Sequence, residues 1–264
     1  RRSLSLFSSV ANVYDGTYLR AGRWEPEDHT LGEWGVGLRQ TRGMPGGSLS
    51  WSLEGAGGVS SLDHRYFRGS LELGMRRSLP RRWSLELRAA AAGAVGRDPE
   101  TGDWKTGAVP LERKYFLGGG GAFEALRNPF IRSAGAPMEE VGFIPGGGNL
   151  RGVDPLRSVG GFLALNLDLV SGEMALGPLG IRARAFTDLA YTPGLETREV
   201  DLDLVAISEH PVVADAGLGV ELGWRRSPIR LRVDLPILVS DPVLAVTETE
   251  GSLRLRARVS VLGY

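Results

Sequence analysis

The chain has 264 residues, no cysteine, 38 glycines and 15 prolines, and its 31 basic residues balance 31 acidic ones. Balanced charge and a sequence pI near 7.1 argue against a polyanion-binding surface, so nucleic acid is not an expected partner. The sequence lacks both a cysteine framework and an apolar run near the ~20 residues of a membrane helix, which removes the disulfide-stapled and helical-membrane classes.

From the N terminus, alternation of apolar and polar residues predicts strands over 4–14, 33–40, 49–55, 66–76 and 83–91, the first with the weakest pattern. A long glycine-rich stretch follows, with Gly146-Gly147-Gly148-Asn149-Leu150-Arg151-Gly152-Val153-Asp154-Pro155 near its end. The period of two then resumes over 162–170, where Leu163, Leu165, Leu167 and Leu169 oppose Ala164, Asn166 and Asp168. It returns over 181–191, 218–224, 229–235 and 253–259.

Connections alternate in length. Short ones fall at 42–47, 77–82, 172–180 and 226–228, and long ones at 15–31, 97–160, 192–214 and 240–252; the short segment 60–65 lies on the long-loop side. One face of the strands is Leu, Val and Ala with Trp34, Trp51, Trp83 and Trp224 interspersed, while the other mixes charges of both signs with glycine. A soluble sandwich can alternate too, but it turns its polar face outward over a mixed aromatic and aliphatic core.

The expected fold is an all-β, antiparallel transmembrane β-barrel of about 10–12 strands, with a lipid-facing exterior, a polar lumen and a long inward-folded loop over 97–160. Short turns on the periplasmic side of a bacterial outer membrane would put both termini in the periplasm. Because the chain opens with Arg1-Arg2-Ser3 inside an expected strand, 1–264 is expected to be the C-terminal barrel of a longer protein, or part of a larger barrel.

Catalytic and metal-binding constellations are not found. His29, His64 and His210 are far apart, and no His-Glu-x-x-His or Gly-x-Ser-x-Gly occurs. Asp63-His64 and Glu209-His210 are adjacent pairs, and neighbouring residues of a strand point to opposite faces. Gly118 to Gly121 lacks the Lys-Ser/Thr of a phosphate loop. No catalytic residue, metal or cofactor is expected.

Three motifs carry a family resemblance. Asn149-Leu150-Arg151-Gly152-Val153 resembles the Arg-Gly-aromatic tip of the inward-folded loop in the outer-membrane assembly-factor superfamily, which includes the barrel-assembly insertase and the two-partner secretion translocators. Phe186-Thr187-Asp188-Leu189-Ala190 is similar to that family's Phe-x-Asp-x-Gly strand motif, and Tyr115-Phe116-Leu117-Gly118-Gly119 to its glycine-rich approach to the loop. The match runs from about 115 to the C terminus. Val153 stands where the family has an aromatic and Ala190 where it has glycine.

The resemblance implies a loop lock of Arg151, Gly152, Phe186 and Asp188, with Gly118, Gly119, Gly147 and Gly148 at the loop base. A buried Arg151 needs a paired carboxylate, which Asp188 would supply; Gly152 would let the backbone turn beside it, and Phe186 would pack on the tip. The implied function is insertion of outer-membrane proteins or polypeptide export. Implied partners are outer-membrane lipid, unfolded outer-membrane or secreted polypeptides, and periplasmic domains or lipoproteins. Asn128-Pro129-Phe130-Ile131-Arg132-Ser133 resembles the barrels that end longer secreted zinc aminopeptidases, which would make the chain a passive anchor; a small pore is a further alternative.

Overall fold

The computed structural model describes residues 2–13, 29–110, 113–118, 147–153, 158–192, 211–224, 229–240 and 256–261. The strands, in chain order, are β1 (Arg2–Val13), β2 (His29–Met44), β3 (Gly47–Ser60), β4 (Arg65–Ser78), β5 (Ser84–Arg97), β6 (Trp104–Thr106) and β7 (Tyr115–Phe116). They continue with β8 (Ser158–Val159), β9 (Gly161–Val170), β10 (Met174–Leu176), β11 (Leu179–Tyr191), β12 (Val212–Trp224), β13 (Ile229–Val239) and β14 (Arg256–Val261).

Among these residues one twelve-stranded antiparallel sheet forms in the order β1-β2-β3-β4-β5-β9-β11-β12-β13-β14, with β6 added to β5 and β10 to β11. The short strands β7 and β8 pair separately. β1 and β14 end the strand order, and no pairing joins them among the described residues.

Several strands, β2, β3 and β13 among them, outrun the period-two signal, and β5 and β12 do so furthest at one end. β5 continues past 91 to Arg97 because Ala89 to Ala94 are nearly all alanine, which erases the contrast between faces while pairing with β4 and β9 goes on. β12 begins at Val212, inside the stretch expected as a long connection, because Val213 and Asp215 are buried on the polar-side face opposite β11. The stretch 97–160 likewise contains β6, β7 and β8.

Register fixes which face each residue joins. Arg88 lies opposite Asn166, which lies opposite Asp188, which lies opposite Asp215, so four polar side chains share one row and one face. The neighbouring row holds Leu87, Leu167, Thr187 and Ala216 on the other face. The polar row is buried, with Asn166 1%, Asp188 0% and Asp215 2% exposed. The apolar face is open: Leu6, Phe67, Leu163, Leu218 and Trp224 are each more than half exposed.

Ion pairs show that the sheet curls toward its polar face. Strands lie about 4.8 Å apart, so a flat sheet would put about 14 Å between β9 and β13. Arg232 of β13 nevertheless reaches Asp168 of β9 at 3.3 Å. Arg184 of β11 reaches Glu86 of β5 across β9 at 2.8 Å, and Arg68 of β4 reaches Glu33 of β2 across β3 at 2.8 Å.

At the long-loop end of this concave face, 109–110, 113–118, 147–153 and 158–159 dock on the sheet. Val109, Tyr115, Leu117, Leu150, Val153 and Val159 pack with Leu31, Tyr66, Ala90, Phe162, Ala190 and Val213. This is the apolar core, and it lies inside the curl, between the loop and the strands.

Candidate functional site

Arg151 is 1% exposed and lies on the polar face between β9 and β11. Its Nε donates to Asp188 Oδ2 at 2.8 Å and its Nη2 to Asp188 Oδ1 at 2.7 Å, a bidentate fork. Its Nη1 donates to Asp168 Oδ1 at 2.7 Å and Nη2 also to Asp168 Oδ2 at 3.2 Å. The Arg151 backbone N–H donates to Asp188 Oδ2 at 3.1 Å. The guanidinium carbon stands 3.8 Å from the centroid of the Phe186 ring, a cation–π contact on the remaining face.

Neighbouring positions explain why the loop fits. The Gly152 N–H donates to Asp215 Oδ2 at 2.6 Å, and a Cβ at Gly152 would come within 2.8 Å of both Asp215 Cβ and Val239 Cγ2. Asn149 takes the left-handed conformation, φ 59°, with its side-chain amide donating to the Gly147 carbonyl at 2.9 Å. Phe186 lies opposite Gly217, where a Cβ would crowd the ring. A register shift at Ala216/Gly217 accommodates Pro236, which has no N–H to give to the ladder.

The two ends of the loop meet. Gly148 N–H donates to the Phe116 carbonyl, and Leu150 N–H to the Leu117 carbonyl, each at 2.8 Å; Gly118 and Leu150 form an isolated parallel bridge. The Gly147 carbonyl accepts from Arg88 Nη2 at 2.7 Å, and the Gly148 carbonyl from Asn166 at 3.2 Å. The loop-base residues Gly118, Gly147 and Gly148 therefore lie beside the tip, while Gly119 and 128–133 lie outside the described residues.

Arg151, Gly152, Phe186 and Asp188, named from the family motifs, come together at one point. The sequence reading omitted Asp168, which accepts from Arg151 and also faces Arg232 at 3.3 Å and Arg184 at 3.4 Å. It omitted Asp215 and the Asp234 carboxylate held by Arg232 Nε at 2.8 Å as well. The usable signal was parity: Asp168 sits two residues from Asn166, on the face already read as polar.

A second ionic cluster anchors Arg113, on the approach to the loop, to β2. Glu33 of β2, 4% exposed, accepts from Tyr66 Oη at 2.9 Å and from Arg68 Nε at 2.9 Å, and Arg113 Nε lies 3.2 Å from Glu33 Oε2. Tyr115 packs edge-on against Phe162 at 6.0 Å. The loop is held by charge at both ends, Arg113 to β2 and Arg151 to β9 and β11.

Chemically, the described site is a set of paired guanidinium and carboxylate groups shielded from water, in which Asp215 Oδ1 and Arg184 Nε have no hydrogen-bond partner among the described residues. No group of His, Cys, Asp or Glu that could hold a metal ion occurs among the described residues. Asp63 and His64 sit in the β3–β4 turn, where Asp63 has φ 61°. His210 lies outside the described residues. No protein-family model matches the chain, and no curated protein matches it.

Proposed function

We propose that the chain is a membrane-spanning β-barrel of the outer-membrane assembly-factor type, with its apolar face toward lipid, that acts in inserting or exporting polypeptides. The observation that carries this reading is the lock: a loop arginine, fully buried, forked to the aspartate of the Phe-x-Asp strand and stacked on its phenylalanine. The inverted faces support the membrane part, because exposed leucines and tryptophans over buried ion pairs are the reverse of what water selects. The outer edge of β1, which pairs with no strand among the described residues, supports the polypeptide part, since such an edge offers backbone donors and acceptors to an incoming strand.

A second reading, a passive anchor, is favoured by how full the concave face is. The loop, its apolar cluster and the ion pairs occupy the space that a translocating chain would need.

The test is to place the full chain in phospholipid vesicles and add a urea-unfolded outer-membrane barrel protein as substrate. The insertase reading predicts that the substrate gains its heat-modifiable folded form faster than in protein-free vesicles. Equal rates, with this chain itself folded and inserted, would overturn it in favour of the anchor.

A further inference from the structure

The exposed charges of the two ends of the sheet differ. At the long-loop end, exposed Asp63, Glu100 and Asp103 offset exposed Arg65, Arg97 and Lys105. The long connections themselves are acidic in sequence, with twelve Asp and Glu against four Arg over 14–28, 193–210 and 241–255. At the short-turn end, Arg2, Arg42, Arg77, Arg81 and Arg82 are all exposed. The acidic residues there, Glu72, Glu86, Glu173 and Glu221, are buried or half-buried and taken up by Arg88, Arg184 and Arg182.

Placement gives this charge a direction. Register puts Arg2 in line with Leu4 and Leu6, Arg42 with Leu38, and Arg77 with Leu73, so each ends a row of the outward apolar face. Exposed Met44, Leu49 and Trp83 lie among them. The turn from Leu79 to Trp83 holds two consecutive arginines in the left-handed region, Arg81 at φ 59° and Arg82 at φ 64°, where glycine would be unstrained. It is closed by the Leu79 N–H donating to the Trp83 carbonyl at 2.7 Å.

We propose that Arg2, Arg42, Arg77, Arg81 and Arg82, with Trp83, form a collar that docks on the phosphate headgroups of anionic phospholipid in the leaflet on the short-turn side. Guanidinium groups match phosphate oxygens in geometry and charge, and an arginine at the end of an apolar row can lay its stem on lipid while its head stays at the interface. Trp83 at the same level suits the boundary between apolar and wet regions. Continuity with the apolar face favours a lipid surface over an acidic peptide, which would need no such neighbour. The proposal rests on the membrane-barrel reading and adds the lipid class and the side of the membrane.

The experiment uses the full chain and a variant carrying Arg42→Gln, Arg77→Gln, Arg81→Gln and Arg82→Gln. Both are examined by native mass spectrometry from micelles doped with equal phosphatidylglycerol and phosphatidylcholine. The parent is expected to retain phosphatidylglycerol preferentially, and the variant to lose that preference by about tenfold or more. A control with Arg65→Gln, Arg97→Gln and Lys105→Gln at the other end should keep it. Equal retention by parent and collar variant, or binding of a polyglutamate peptide without lipid preference, overturns the proposal. Carbonate-resistant insertion into phosphatidylcholine vesicles separates the two claims: a chain that washes off refutes both, and one that inserts without lipid preference refutes the collar alone.

Discussion

Arg151 makes five hydrogen bonds to two carboxylates in a place water does not reach. Removing one partner from such a group leaves uncompensated buried charge, which costs about 3–5 kcal/mol. Arg151→Ala is therefore expected to lower stability by about that amount in urea unfolding followed by tryptophan fluorescence. Arg151→Lys keeps the charge but loses the fork, and should fall between the two. A loss below about 1 kcal/mol for the alanine variant would mean that the lock is not structural. Gly152→Ala tests the neighbouring backbone: its methyl must displace Asp215 and Val239, at about 1–3 kcal/mol for overpacking. Unchanged stability for that variant would show that the tip has slack.

At the scale of elements, the loop is a strap fastened at two points rather than one. Glu33 is shared by Arg113 and Arg68, and Glu33→Ala should remove that common carboxylate from both and raise protease cleavage around 113–118, while the Arg151 end stays protected. Tyr66→Phe removes one hydrogen bond to the same carboxylate and should cost about 1 kcal/mol, read in the same unfolding experiment. Cleavage rates equal to the parent's for Glu33→Ala would show that the base is held by the apolar cluster alone. These elements were unequally legible. The lock residues stood in short motifs, so Arg151, Phe186 and Asp188 could be named from the sequence. Glu33, Arg68 and Arg113 belong to no motif and meet only because the sheet curls across β3, which strand periodicity does not encode. β5 past 91 was hidden by its alanines, which give neither face a signal.

For the molecule as a whole, the period of two in the sequence does most of the work. It separates Leu163, Leu165, Leu167 and Leu169 from Ala164, Asn166 and Asp168, and the structure exposes the first group except for the half-buried Leu167 and buries all of the second. What periodicity cannot supply is the curl that lets Arg232 reach Asp168, or the partner that covers an apolar face this large. The reading that lipid covers it accounts for three features together: polar residues buried inside the curl, leucines outside, and arginines and tryptophan at the short-turn rim. The chain has no cysteine, so single cysteines can be introduced along β9 at 163 to 169 and spin-labelled in the vesicle-inserted protein. With lipid on the apolar face, collision with oxygen is expected to be high at 163, 165, 167 and 169 and low at 164, 166 and 168, with a water-soluble nickel reagent excluded from the odd positions. Nickel access at those odd positions would mean that the apolar face meets water or protein instead of lipid, and would contradict the account.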